Sequence, residues 1–132
     1  LVDRSNPKSR KEVYLKAKRR LVNGTSVAIF PEGLVPKEDV ILSPFKNGAF
    51  SLAIEHQIPI VPATYFDCKR LFSWTYFKGN PGTFRIRQHA FIETKGFTKS
   101  DLRELKETTF NVLYNELIKD ELYMKDTNRF HE

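Results

Sequence analysis

A chain of 132 residues that is 40% hydrophobic and 13% aromatic holds enough apolar material for the core of one domain, which argues against disorder. Its 22 lysines and arginines against 16 acids give a net charge of +6, favouring phosphorylated substrates, acidic lipid headgroups or nucleic acid as partners without choosing among them. A single cysteine, Cys68, excludes an internal disulfide and any multi-cysteine metal site, and points to a reducing, cytoplasm-facing compartment.

Leu1-Val2 runs into Asp3-Arg4 as a strand already under way, so we expect a fragment of a longer protein. Asn6-Pro7-Lys8-Ser9 opens a helix in which Val13, Ala17 and Leu21 recur at fours, ending at Asn23-Gly24 with a densely basic outer face. Val27-Ala28-Ile29-Phe30 has the continuous apolar character of a buried strand and stops at Pro31. After a loop from Gly33 to Leu42, Ser43 can cap a helix whose first residue is Pro44 and whose apolar face is Phe45, Ala49, Leu52 and Ala53. Residues 58–65 read as a strand flanked or edged by Pro59 and Pro62, since each proline removes a ladder donor.

Residues 67–82 are aromatic-rich, with Phe72, Trp74, Tyr76 and Phe77, close on Gly79-Asn80-Pro81-Gly82, and declare no period. Residues 83–92 alternate, placing Arg85, Arg87 and His89 on one basic strand face. Thr98-Lys99-Ser100-Asp101 opens a last helix with Leu102, Leu105, Thr109, Val112, Leu113 and Leu117 on one side, expected to reach about Tyr123. The order predicts an α/β domain over residues 1–123, a largely parallel central sheet flanked by helices and incomplete at its N-terminus, with a polar tail over 124–132. No window approaches the ~18 apolar residues of a membrane span.

In an open α/β sheet ligands gather at the carboxyl ends of strands, which brings Asp3-Arg4 and Glu32-Gly33 to one crevice. Arg4 offers a planar fork suited to phosphate, Glu32 can accept from a hydroxyl or orient a cation, and Gly33 lets a ligand approach the backbone. A structural Arg4–Glu32 ion pair and a plain turn glycine are the alternative.

Four short blocks in order resemble the glycerol-phosphate and lysophosphatidate acyltransferase family: Leu1-Val2-Asp3-Arg4, Phe30-Pro31-Glu32-Gly33, Phe45-Lys46-Asn47-Gly48 and the run Ile58-Pro59-Ile60-Val61-Pro62. The resemblance implies transfer of a fatty acyl group from a coenzyme A or acyl-carrier-protein thioester, a co-substrate rather than a cofactor, to the hydroxyl of a lysophospholipid acceptor. The family's acid-base motif, His-x4-Asp, is not in this chain: five residues beyond His56 stands Val61, beyond His89 stands Thr94, and His131 is followed only by Glu132. We therefore assign no catalytic residue here, expect this chain alone to be inactive, and expect the motif a few tens of residues upstream in the parent protein. Leu34-Val35-Pro36 replaces the family's Thr-Arg-Ser, leaving Arg4 as the clearest phosphate ligand and Lys46, at the N-terminal end of its helix, as a second. Substrate binding is thus assigned to Arg4, Glu32, Gly33 and Lys46.

The alternative from another class is a non-catalytic module on an anionic membrane surface, held by Lys8, Arg10, Lys11, Lys16, Lys18, Arg19 and Arg20 with Phe72, Trp74, Tyr76 and Phe77 as interfacial anchors. Both readings place the protein at the cytoplasmic face of a membrane, peripherally. No nucleic-acid-binding motif accompanies the charge, and nucleic acid is not expected as a partner.

Overall fold

The computed structural model describes residues 7–37, 39–72 and 79–129. Helix α1, Pro7–Val22, begins on a proline, whose missing amide costs nothing in a first turn. It ends where Gly24, at φ +74°, lets its amide donate to Leu21 and that of Thr25 to Arg20, satisfying carbonyls that a helix end leaves open. Tyr14 and Lys18 reach across to Glu55 on α2, Gly48–His56; the Lys18 and then the Tyr14 hydrogen bond lower the Glu55 carboxyl below its ordinary range.

Helix α2 carries the core. Its Phe50 and Ile54 are buried with Phe45 and with Leu105 and Leu113 of α4, Leu102–Arg129. The Phe45 ring stacks on Phe50 at 6.0 Å and meets Phe110 edge-on at 5.1 Å. Gln57 ends α2 at φ +51°, its side-chain amide donating to Ile54 and Phe97. Thr94, wholly buried, shares its hydroxyl between the carbonyls of Ala53 (3.2 Å) and Ile58 (2.7 Å).

Strands β1, Ala63–Tyr65, and β2, Ile86–Gln88, pair antiparallel with Thr64 opposite Arg87 and Tyr65 opposite Ile86. A bridge between Ile60 and Ile92 continues the ribbon, and because His89 donates to Pro62, two residues of the second strand face one of the first between these pairs. That bulge returns Ile92 to the inner face, toward the core. Between the strands lies the short helix α3, Cys68–Leu71, and just before it the Phe66 amide donates to the Arg85 carbonyl at 3.2 Å, extending the pairing by one step. A single 3₁₀ turn, Lys99–Asp101, leads into α4 through a capping box between Thr98 and Asp101, the Thr98 amide donating to Asp101 at 2.6 Å.

Three expectations differ from what the described residues show. The sheet among the described residues is two-stranded and antiparallel, and a largely parallel one is not shown: the 27–30 run joins no ladder there, and Pro59 and Pro62 lack donors. Helix α2 starts at Gly48 instead of Pro44, and the segment before it is tied to the turn at Pro31-Glu32 by the amides of Ser43 and Lys46. Helix α4 runs to Arg129, beyond the end expected near Tyr123. No helix among the described residues is long and apolar enough to cross a membrane.

Candidate functional site

The turn after the 27–30 run is built from its own sequence. Pro31 presets the backbone, the Gly33 amide donates back to Phe30 at 3.2 Å, and Gly33 sits at φ +71°, a region that side chains other than glycine resist. The following loop folds back on this turn. Glu32 accepts the Ser43 amide at 2.7 Å, and Pro31 accepts the Lys46 amide at 2.8 Å. A Cβ placed on Gly33 would lie 3.5 Å from Cγ of Lys46, so the lysine stem crosses directly over the glycine.

Three of the four expected binding residues therefore converge. Glu32 and Gly33 are half-buried, and Lys46 brings an exposed cation to the same turn, its stem laid on the backbone. Lys46 lies just before the Asn47 cap of α2 instead of within the helix's first turn. Arg4 lies outside the described residues. Leu34 and Val35 project into solvent at 64% and 63% exposure beside this turn.

Cys68 stands near the same loop. Burial of its sulfur, then the charge of Asp67 and more weakly that of Glu32, push the thiol above its ordinary value, away from the thiolate that nucleophilic chemistry needs. Two clefts, of about 440 and 350 Å³, lie elsewhere, the first between β2 and α4 beside Arg85 and Asp120, the second beside Phe45 and Phe110. Neither contains Glu32, Gly33 or Lys46, and both are open to solvent.

The family match covers this same turn. A family model described as Acyltransferase covers residues 1–66, half of the chain, with the turn inside it. The chain belongs to the acyltransferase family. A 1-acyl-sn-glycerol-3-phosphate acyltransferase beta of Homo sapiens is 33% identical over 90 residues, covering 68% of this chain and 32% of its own length. A 1-acyl-sn-glycerol-3-phosphate acyltransferase of Saccharomyces cerevisiae is 35% identical over 86 residues, 64% of this chain and 28% of its own. An acyltransferase of Schizosaccharomyces pombe whose name states no substrate is 32% identical over 130 residues, 94% of this chain and 45% of its own. The chain thus spans less than half the length of these relatives. No solved structure matches it.

Beyond residue 66 this acyltransferase-family chain holds an ion network that sequence reading missed. Asp67, 2% exposed, receives two side-chain hydrogen bonds and a backbone one from Arg85, and a further one from Arg70. Arg85 also grips Asp120 of α4 with both terminal nitrogens at 2.7 and 2.9 Å and lies over the Phe66 ring. The Arg85 hydrogen bonds, against the opposing effect of burial, hold the Asp67 carboxyl down at about 2. Arg87 pairs with Glu116 of α4, and Thr64 Oγ1 lies 2.7 Å from His89 Nε2. The basic face of the second strand thus points at α4, away from the turn; alternation revealed the face, and nothing local named the acids of α4 as its partners.

Proposed function

We propose that this chain is the acceptor-binding part of an acyltransferase that moves a fatty acyl group from a coenzyme A or carrier-protein thioester to the hydroxyl of a lysophosphatidate-type acceptor. The observation that carries the reading is the convergence of Glu32, Gly33 and Lys46 on one turn inside the family match. The names of the human and yeast relatives supply the acceptor class. On this reading Lys46, its stem laid over Gly33, offers a point charge to the phosphate, and Glu32 sets the shape of the turn through Ser43. Arg4 adds the guanidinium fork that Leu34-Val35-Pro36 does not provide.

No His-x4-Asp occurs in these 132 residues, so the acid-base histidine is assigned to another part of the same polypeptide. The 27–30 run then takes its place in a larger, largely parallel sheet. Acyl transfer from a labelled acyl thioester to lysophosphatidate, measured on the full-length polypeptide, tests the reading. Glu32→Ala should lower the rate by about a hundredfold while leaving the fold intact, the usual scale for a displaced substrate-binding element. Wild-type rates in Glu32→Ala and Arg4→Ala would show the pocket to be misplaced.

A second reading, peripheral attachment to an anionic membrane at the cytoplasmic face, is favoured by the exposed Lys11, Arg19 and Arg20 of α1 and by Phe72, 80% exposed. Trp74, Tyr76 and Phe77 lie outside the described residues, while Lys16 pairs with Glu12 and Lys18 with Glu55, which lessens the free charge of the helix. Co-sedimentation with anionic but not neutral vesicles is the expected result, and equal binding to both would remove it.

A further inference from the structure

The outer face of the β1–β2 ribbon is apolar and uncovered among the described residues. Phe30, Tyr65, Phe84 and Ile86 are 74%, 39%, 41% and 54% exposed. Their order is continuous: the Phe30 ring stands 6.0 Å from that of Tyr65, the Tyr65 ring 5.9 Å from that of Phe84, and Ile86 is the register partner of Tyr65. The opposite face is occupied, Thr64 being buried and Arg87 paired with Glu116 of α4. The track begins on the candidate site itself, because the Phe30 carbonyl accepts the Gly33 amide that closes the Glu32 turn.

We propose that this aromatic track holds the hydrocarbon chain of the lysolipid acceptor whose phosphate sits at the Gly33–Lys46 turn. The inference rests on the proposed function and adds the part of the acceptor that the polar residues do not touch. Continuity selects the occupant: a ligand with its headgroup at the turn has its chain leave past Phe30, and the next surfaces along the ribbon are Tyr65 and Phe84. Leu34 and Val35, exposed beside the same turn, extend the apolar border where the family's Thr-Arg would place a charge.

The test is equilibrium binding to the 132-residue chain, by calorimetry below the micelle concentration. The ligands are long- and short-chain lysophosphatidate, glycerol 3-phosphate as headgroup alone, and a long-chain acyl-CoA. We expect the long-chain lysophosphatidate to bind at least about tenfold tighter than the short, the increment of a few partly covered methylenes. Tyr65→Ser with Phe84→Ser should abolish that preference and leave glycerol 3-phosphate binding unchanged, while Tyr65→Phe with Phe84→Leu should keep it. Circular dichroism checks that the serine pair folds, and the conservative pair separates lost contact from lost structure.

Equal binding of the two lysophosphatidates, no binding of either, or a preference that survives the serine pair would each overturn the inference. Loss of acyl-CoA binding with lysophosphatidate binding intact would place the donor chain on the track and overturn it as well. Chain-dependent binding together with no acyl transfer in the full-length polypeptide would instead leave the track standing and remove the proposed reaction.

Discussion

Asp67 shows how one side chain sets a pH limit. Its carboxyl titrates at about 2 in the folded chain, against an ordinary value of 3.8, because Arg85 and Arg70 bond the charged form. A folded value below the unfolded one stabilises the fold above the unfolded value, and the stabilisation fades as pH falls from about 4 through about 2. The shift corresponds to at most about 2 kcal/mol at neutral pH. Arg85→Ala leaves Asp67 buried with Arg70 as its remaining partner, so we expect a loss of about 2 kcal/mol at pH 7 and acid unfolding that begins at higher pH. Urea midpoints measured at several pH values check this, and an unchanged acid limb would show the network to be idle. At the turn, the place of Glu32 and Gly33 just after an apolar run was legible in the sequence. The Ser43 amide that holds Glu32 was hidden, because a backbone donor eleven residues away leaves no mark in composition or period.

Among the elements, those whose signals are local matched their reading. The start of α1, its glycine stop and the Thr98–Asp101 capping box follow from residues within one turn of each other. Helix α2 did not: Ser43-Pro44 carries a valid start signal, but the segment from Ser43 to Lys46 is tied to the Glu32 turn and the helix begins after it. The end of α2 is likewise tertiary, fastened by Thr94 from about forty residues on. Thr94→Val keeps the volume and deletes the hydroxyl, taking the Thr94 donor from the Ile58 carbonyl while the Ala53 carbonyl keeps the Ile58 amide. We expect a loss of about 1–3 kcal/mol, read by thermal or urea unfolding, with helix content unchanged in the folded state. Thr94→Ser, which restores the donor, should recover part of it.

For the whole molecule, the family match and the folding unit have different boundaries. The match ends at residue 66, whereas Phe50 and Ile54 pack on Leu105 and Leu113, and β1 finds its partner in β2. A peptide of residues 1–66 should therefore show no cooperative unfolding transition by circular dichroism, while the 132-residue chain should show one; a cooperative transition in the short peptide would contradict the shared core. By itself the sequence determined the two long helices, the glycine turn with Glu32, the family resemblance and the lack of a His-x4-Asp, since each depends on residue types at short spacing. Only the tertiary structure decided that Lys46 lies over Gly33, that Arg85 and Arg87 face the acids of α4, and that Phe30, Tyr65 and Phe84 form one exposed track. Those juxtapositions come from chain segments brought together by burying one apolar core, and no local pattern encodes which distant surfaces that burial will align.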